Sequence, residues 1–400
     1  MTVEAEAWAL ALGTLPLSEG LRLRDAAEVR FFPGMDSTRF QKLCSLRDLD
    51  AFLASDSART PRVMLADSRR EGSTCIPYDD YTASKDGQID LPRLFALYDA
   101  GATLVLSQMH EMHLPLGRFC RGLERIFLHA VQCNIYLTPP KAQGFRVHYD
   151  THDVLILQVQ GEKLWRFWPR PLVPFANTHT PWKNQPSPDE EPRSQLLRPG
   201  DVLYVPRGIL HDASSQGAQN SLHLTIGLLG QSWGDALRIA LDIMEQEDAT
   251  LRQLFPTWRL AEGSISDNLM QEAAKRWSAL GTVSVMELLS QQLLMKLATE
   301  RMPMVSRGLI APTVSPADRL YFSDTVHHVV MPHPDGTAEL RWAGGNVTLS
   351  AQEFSWIARI SEGATANDLG GSEALAFCQR LASDGLITRA GATMKAGQVS

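Results

Sequence analysis

Three features of this 400-residue chain predict an α+β fold built on a jelly roll, that is, a double-stranded β-helix. Between residues 144 and 228 the sequence breaks into short runs, VLILQVQ, KLWRFW, VLYVP and SLHLTIGL, each bounded by glycine or proline. Short strands punctuated in this way suit an antiparallel double-sheet architecture. Residues 233–308 lose that pattern and carry apolar residues at three- and four-residue spacing, the helical period. Residues 315–392 return to a mixture of strand-like and helical runs. Four hundred residues is too much chain for one jelly roll. We therefore divide it into a barrel domain with an N-terminal extension (1–232), a helical region (233–308) and a small C-terminal domain (309–400).

Each element has a local reason. FQKLCSLRDLDAFLAS has helical spacing. DLPRLFALYDAGATLVL reads as a helix ending near Gly101 and then a strand, and LPLGRFCRGLERIFLHA as an amphipathic helix. VLILQVQ is rich in aliphatic and β-branched residues, as a buried strand should be. Gly161 breaks this run and KLWRFW resumes it, which predicts a hairpin. Residues 169–199, crowded with proline, asparagine, serine and charge, predict a long loop that either borders a substrate entrance or is disordered. Arg198-Pro199-Gly200-Asp201 is a turn into VLYVP, and Pro206-Arg207-Gly208 is a second turn that delivers His211.

Further along, WGDALRIALDIMEQ and SVMELLSQQLLMKLATERM are helical. In the second of these, Leu288, Leu289, Leu293, Leu294 and Leu297 predict one broad apolar stripe. HHVVMPHPDGTAELRWAGGNVTLS contains two strand-like runs joined by Pro-Asp-Gly, with a further turn at Gly344-Gly345-Asn346. SAQEFSWIARIS and SEALAFCQRLASDGLI are helical, and Leu386-Ile387 start a last strand. This pattern suits a winged-helix-like domain.

Composition narrows the function. No run is long enough to span a bilayer, and the acidic start MTVEAEAW lacks the basic and apolar regions of a secretory signal. Cys44, Cys75, Cys120, Cys133 and Cys378 are scattered and odd in number, as expected of reduced thiols in a cytoplasmic protein. A net charge of −7 argues against a nucleic-acid binder and suits recruitment of a basic peptide or protein. The C-terminal domain is also more acidic than basic, so protein contact or plain structure fits it better than DNA.

The chemistry concentrates at His148, Asp150 and His211. On a strand, residues i and i+2 point to one side, so His148 and Asp150 reach a common point, and His211 follows two turns later. Two imidazoles and a carboxylate with open positions are the ligand set of a mononuclear non-haem Fe(II) oxygenase. His152 shares the phase of His148 and Asp150 and is expected beside the ligands, because a fourth ligand would crowd the iron. His223 is expected in the core or behind the ligands, His327, His328 and His333 to be structural, and His110 and His113 to be a pair without metal.

At this point the chain resembles the JmjC-type ribosomal oxygenases, cupin-fold Fe(II)/2-oxoglutarate protein hydroxylases. The resemblance rests on NIYLTPP (134–140), GFRVHYDTHDVLILQVQGEKLWRFW (144–168), GDVLYVPRGILHDA (200–213) and SLHLTIGL (221–228), in that order. It implies that His148, Asp150 and His211 bind iron, that Lys163 holds the distal carboxylate of 2-oxoglutarate, and that Asn134, Tyr136 and Thr225 line that cosubstrate pocket. It further implies a helical dimerisation region over 233–308, hence a homodimer, and a winged-helix-like C-terminal domain. Some bacterial members that hydroxylate a ribosomal-protein arginine carry arginine on the strand where this chain has Lys163, the form of the histidine-hydroxylating animal members. That residue meets cosubstrate, so it does not name the target side chain.

Residue chemistry agrees with this resemblance. Iron with three protein ligands leaves positions open for a chelating 2-oxo acid and dioxygen. The other carboxylate of that acid needs a cation, which lysine supplies as a compact point charge. Lys163 is either a surface lysine on a hairpin or a buried ammonium that needs an anion. Two function classes follow. One is hydroxylation of a protein or peptide side chain, arginine or histidine foremost and ribosomal proteins among the targets, with N-methyl-lysine demethylation as a variant on the same machinery. The other is a non-oxidative metal-binding cupin, an isomerase or binding module.

Overall fold

The strand Asp153–Gln160 is buried on both faces along almost its whole length, and the first part of the fold is arranged around it. The computed structural model describes residues 2–180, 190–255, 257, 267–279, 283–301, 309 and 311–389. It divides into two units, Met1–Gly230 and Gln231–Ser400.

In chain order the first unit contains α1 (Val3–Leu12), α2 (Leu17–Ala26), β1 (Arg30–Phe32), α3 (Leu46–Leu53), β2 (Val63–Ala66), α4 (Leu91–Asp99), β3 (Thr103–Leu106) and α5 (Leu114–Phe127). The barrel strands follow: β4 (Ala130–Thr138), β5 (Asp153–Gln160), β6 (Glu162–Phe167), β7 (Arg193–Leu197), β8 (Val202–Val205), β9 (His211–Gln216) and β10 (Ser221–Leu229). Local chemistry sets several ends. Asp90 caps α4 by accepting from Arg93 N, with Pro92 in the first turn. α5 opens with Pro115 and buries Leu116, Phe119, Cys120 and Leu123 along one face. Of FQKLCSLRDLDAFLAS, only Leu46–Leu53 is helix, because Ser45 and Asp48 close a capping box there; the residues before Ser45 form turns.

Two antiparallel sheets make the double-stranded β-helix. The larger has seven strands in the order β1-β8-β5-β10-β4-β3-β2, and the smaller has the order β7-β6-β9. Leu155, Leu157 and Val159 of β5 join Leu222, Leu224 and Ile226 of β10 in the core shared with α1 and α5. The alternate residues Val154 and Ile156 face inward, against Trp165 and Leu197 of the smaller sheet.

Two expectations change here. β5 and β6 are not a hairpin: β5 pairs with β8 and β10, while β6 pairs with β7 and β9. Gly161, at φ +65, turns the chain from one sheet to the other, and a Cβ there would lie 2.3 Å from Asn220 O. Nor is 169–199 loop throughout. Arg193–Leu197 forms β7, held in register by Lys163 opposite Leu197 and Trp165 opposite Gln195. Its residues 181–189 lie outside the described residues.

The second unit holds α6 (Trp233–Glu247), α7 (Asp267–Ala279), α8 (Val283–Glu300), β11 (Leu320–Phe322), β12 (His328–Pro332), β13 (Ala338–Trp342), β14 (Gly345–Leu349), α9 (Ala351–Ser361), α10 (Ala366–Leu369), α11 (Ser372–Ser383) and β15 (Ile387–Arg389). β12, β13 and β14 form an antiparallel sheet, and β11 pairs with β15. Ser232 with Asp235 and Ser350 with Glu353 are capping boxes that start α6 and α9. The expected leucine stripe of α8 is divided. Leu289 and Leu297 are buried within the unit, whereas Leu288 and Leu294 are exposed. α8 packs on α6 and also on β12 and β13, which uses part of that stripe. Among the described residues no helix is long and apolar enough to cross a membrane.

Candidate metal centre

His148, Asp150 and His211 come together through backbone pairing between the segment before β5 and the start of β9. His148 N donates to His211 O (3.1 Å) and His211 N donates to His148 O (2.8 Å), so the two residues face each other as an isolated antiparallel bridge rather than within a long strand. Gly208 N donates to Asp150 O (2.9 Å), which ties the turn before His211 to the third ligand. That turn needs glycine: Gly208 is at φ +82, and a Cβ would meet Val173 O at 1.9 Å.

Candidate ligand atoms of the three side chains all lie within 4.8 Å of one another, and among the described residues no other cluster of three histidines, cysteines or carboxylates does so. His211 Nε2 is 3.6 Å from Asp150 Oδ2. The tautomers follow from the second nitrogen of each ring. His148 Nδ1 is 2.7 Å from Arg146 O and His211 Nδ1 is 2.9 Å from Ile209 O. A carbonyl only accepts, so each Nδ1 carries the hydrogen and each Nε2 keeps its lone pair for a metal. Burial, and then the neighbouring His148, lowers the pKa of His211 and favours the neutral imidazole that metal binding requires. Two oriented imidazoles, one carboxylate and open space beside them fit a divalent iron.

Behind the triad lies a cavity of about 70 Å³, which runs to Lys163. Lys163 Nζ is buried and donates to Thr138 Oγ1 (2.9 Å); Thr103 Oγ1 donates in turn to Thr138 Oγ1 (3.2 Å). His223 Nδ1 is 3.5 Å from the ammonium, and its ring stacks on Tyr136 at 4.8 Å. No carboxylate among the described residues pairs with Lys163, so burial alone pulls its pKa down to about 7. A buried lysine in the same cavity as three candidate metal ligands, with no carboxylate partner among the described residues, fits the distal carboxylate of a 2-oxo diacid.

The expected residues are brought together unequally. Tyr136 and Thr225 line the cavity. Asn134 is not among the lining residues: its Oδ1 accepts from Gln108 N (2.9 Å), two residues before Tyr136 on β4. Lys163 sits on the sheet of His211, opposite Ser215 of β9, because the chain crosses sheets at Gly161. His223, expected in the core or behind the ligands, is buried and also lines the cavity. The signal was present, since His223 and Thr225 are i and i+2 on one strand and must share a face. Trp165, Phe145 and Thr138 were also missed. Trp165 repeats the phase of Lys163 on β6, whereas Phe145 comes from a loop that has no periodicity to read. His152 packs near Gly227, away from the ligand cluster. His110 Nδ1 accepts from Cys133 N (3.2 Å) and joins no such cluster.

Comparison with known proteins agrees with this geometry. Residues 107–236 match the model of the JmjC domain. Over 231 residues the chain is 34% identical to human ribosomal oxygenase 1, covering 56% of this chain and 34% of that protein. It is 31% identical over 284 residues to ribosomal oxygenase 2 of Bos taurus, covering 67% of this chain and 61% of that one. A Dictyostelium discoideum protein named bifunctional lysine-specific demethylase and histidyl-hydroxylase NO66 is 31% identical over 251 residues, covering 58% and 48%. The chain thus spans about a third of the length of ribosomal oxygenase 1 from human, cattle and rat. Among solved structures, Escherichia coli YcfD, a ribosomal oxygenase solved with cobalt and 2-oxoglutarate, superposes with a TM-score of 0.52 at 16% identity, covering 94% of this chain and 99% of that one. This last likeness speaks to the fold alone.

Proposed function

We propose that this chain, a homologue of the ribosomal oxygenases with a JmjC domain over residues 107–236, is an Fe(II)- and 2-oxoglutarate-dependent protein hydroxylase. The observation that carries the proposal is one cavity lined both by the His148–Asp150–His211 cluster and by a buried lysine that no carboxylate among the described residues pairs. Its substrate is a protein or peptide, a ribosomal protein foremost, and its target an arginine or histidine side chain. Bound iron, 2-oxoglutarate and O2 together supply the oxidant that replaces C–H by C–OH, with succinate and CO2 as the other products.

The chain's residues prepare that chemistry. Arg146 O and Ile209 O hold the two imidazoles in the tautomer that offers Nε2. Lys163, positioned by Thr138, binds the far carboxylate and sets the depth of the 2-oxo acid. Tyr136, stacked on His223, and the inward side chains of Val154 and Ile156 give the cavity its walls. With no fourth His, Cys or carboxylate ligand among the described residues, the non-oxidative cupin reading loses ground.

In this reading residues 1–232 carry the reaction, residues 233–308 make a homodimer contact and residues 309–400 are a winged-helix-like module for protein contact, in the cytoplasm. Support for the dimer lies on α6 as well as on α8. Trp233, Leu237 and Leu241 recur every four residues and are exposed, as are Leu288 and Leu294. Light scattering should give the mass of two chains, and Leu237→Glu with Leu241→Glu should give that of one.

The test of function is succinate formation from 2-oxoglutarate by the Fe(II)-loaded chain, with mass spectrometry of ribosomal proteins from cells with and without the gene. A mass gain of one oxygen atom on one arginine or histidine, lost with the gene, is the expected result. Loss of methyl from lysine would instead establish the demethylase. No 2-oxoglutarate turnover with any protein fraction would sink the proposal.

A further inference from the structure

Trp165 carries an unmet need at the centre of the cavity. It lies two residues after Lys163 on β6, so the two side chains project to the same side of the smaller sheet. Its ring is 5.9 Å from that of His211 and 5.5 Å from that of His223, to which it is nearly perpendicular at 86°. It therefore stands between a metal ligand and the neighbour of the deep cation. The side chain is 6% exposed, and its Nε1 is buried with no hydrogen-bond partner among the described residues. An indole N–H can only donate. Polar atoms are present in the walls, on Asp150, Asp212, Tyr136 and Thr225, yet none accepts from it. Asp212 is engaged with Arg166 instead.

We propose that the Trp165 indole N–H donates a hydrogen bond to the 2-oxo acid bound between the triad and Lys163. The inference rests on the cosubstrate reading of the site and adds to it a second donor besides lysine. An acid that reaches from the metal ligands to Lys163 runs alongside Trp165, because on β6 Trp165 lies between Lys163 and Phe167, the residue paired with His211. Such an acid brings carboxylate and oxo acceptors, and an N–H bond to a charged acceptor is stronger than one to a neutral group. The ring itself separates His211 from His223, so one side chain both shapes the passage and reads the anion within it.

The experiment is calorimetric titration of 2-oxoglutarate into the Zn(II)-loaded full chain, with Trp165→Phe and Lys163→Ala beside wild type. Phenylalanine keeps an aromatic ring and removes the donor. A lost bond to a charged acceptor corresponds to about tenfold weaker binding or more, and this is expected for Trp165→Phe. In proton–nitrogen spectra of the wild-type Zn(II) form, the Trp165 indole resonance, assigned through bonds, should move downfield as 2-oxoglutarate is added. This second readout does not depend on how the variant folds. An indole resonance that stays in place means that the donor faces water or nothing, and the proposal is overturned whatever the variant does. Unchanged affinity in Trp165→Phe overturns it equally. If Lys163→Ala weakens binding while Trp165 passes neither test, the cosubstrate reading stands and this inference falls. If wild type binds no 2-oxoglutarate, both fall.

Discussion

Two buried polar clusters lie on opposite sides of strand β5, and their chemistry differs in one respect. At the start of the strand, in the phase of Leu155 and Leu157, Asp153 accepts from Arg24 Nε (3.1 Å) and from Arg207 N (3.0 Å), while Arg24 Nη1 is 2.5 Å from His129 Nε2. Cation, carboxylate and imidazole are all engaged, and the network joins α2 to the turn that leads to His211. On the inward side, among the described residues, Lys163 has no anion and Trp165 no acceptor, and two histidines offer their Nε2 lone pairs to one point. A closed network is a structural part, whereas an open one awaits a ligand, because a buried charge or donor left unmet is costly. The same sheet supports both: the Asp153 cluster pairs its own charges, although the neighbouring Tyr204 Oη has no hydrogen-bond partner among the described residues, whereas the inward cluster leaves a lysine without an anion.

The largest effect that would break this comparison is at the open site. His148→Ala, Asp150→Ala and His211→Ala are each expected to abolish succinate formation while thermal unfolding shifts little, since the core of the first unit surrounds β5 and not the triad. Full turnover in any one variant with Fe(II) supplied would remove that residue from the ligand set.

The pH dependence of stability sharpens the contrast next. Lys163 titrates at about 7 when folded against an ordinary 10.5, so between these values the unfolded chain holds more protons. Stability of the ligand-free chain should therefore rise as pH increases from about 7 toward 10, by on the order of 4 kcal/mol. Saturating 2-oxoglutarate should erase that rise by supplying the anion. His129, lowered to about 4 by burial and then by Arg24, has the same sign in a different window. Its contribution is complete above about pH 6.5 and lost as pH falls toward 4, on the order of 2–3 kcal/mol, with no response to 2-oxoglutarate. Urea titrations across both ranges, with and without the acid, measure this directly. A rise above pH 7 that survives ligand would mean that Lys163 is not where the anion sits.

Breaking the closed network comes third. Asp153→Ala strands the Arg24 guanidinium and the Arg207 amide, and should cost about 3 kcal/mol in chemical unfolding. The double variant Arg24→Leu, Asp153→Leu should recover part of the loss. Equal loss in both would show that packing, not pairing, dominates there.

The smallest of these effects is Lys163→Ala on affinity. One charge-assisted bond is worth about 1.5–3 kcal/mol, or roughly ten- to a hundredfold in the 2-oxoglutarate requirement. Titration of succinate formation checks it. Metal affinity should stay unchanged, because Lys163 is not part of the candidate ligand cluster.

Much of the site was legible before any coordinates. The residues of the His-x-Asp pair and the turn before His211 were legible, although strand period was not what joined the pair: His148 forms an isolated bridge with His211 and β5 starts only at Asp153. Tyr136 and Thr225, named from the resemblance, both line the cavity. Asn134 shares the strand phase of Tyr136, yet its carbonyl oxygen accepts from Gln108 N, and strand phase alone does not tell a lining residue from one engaged with a neighbouring loop. His223 was missed as a cavity residue although its phase with Thr225 was available; a histidine in an apolar strand reads equally well as core. The leucine stripe of α8 looked continuous because helical period says which residues share a face and not what covers them.

What the sequence determined by itself is therefore local: where strands and helices form, which side chains share a face, and which residues can ligate a metal. Only the tertiary structure decided pairing. Gly161 marks a break equally well for a hairpin and for a crossing, and the choice is made by which strand edges are free: those of β5 are taken by β8 and β10, so β6 must pair with β7 and β9 in the other sheet. That crossing sets Lys163 and Trp165 across the cavity from Tyr136, His223 and Thr225, residues of the larger sheet on strands far apart in sequence. Periodicity is a property of neighbours along the chain, and the free energy that closes a barrel comes from burying faces that are remote in it.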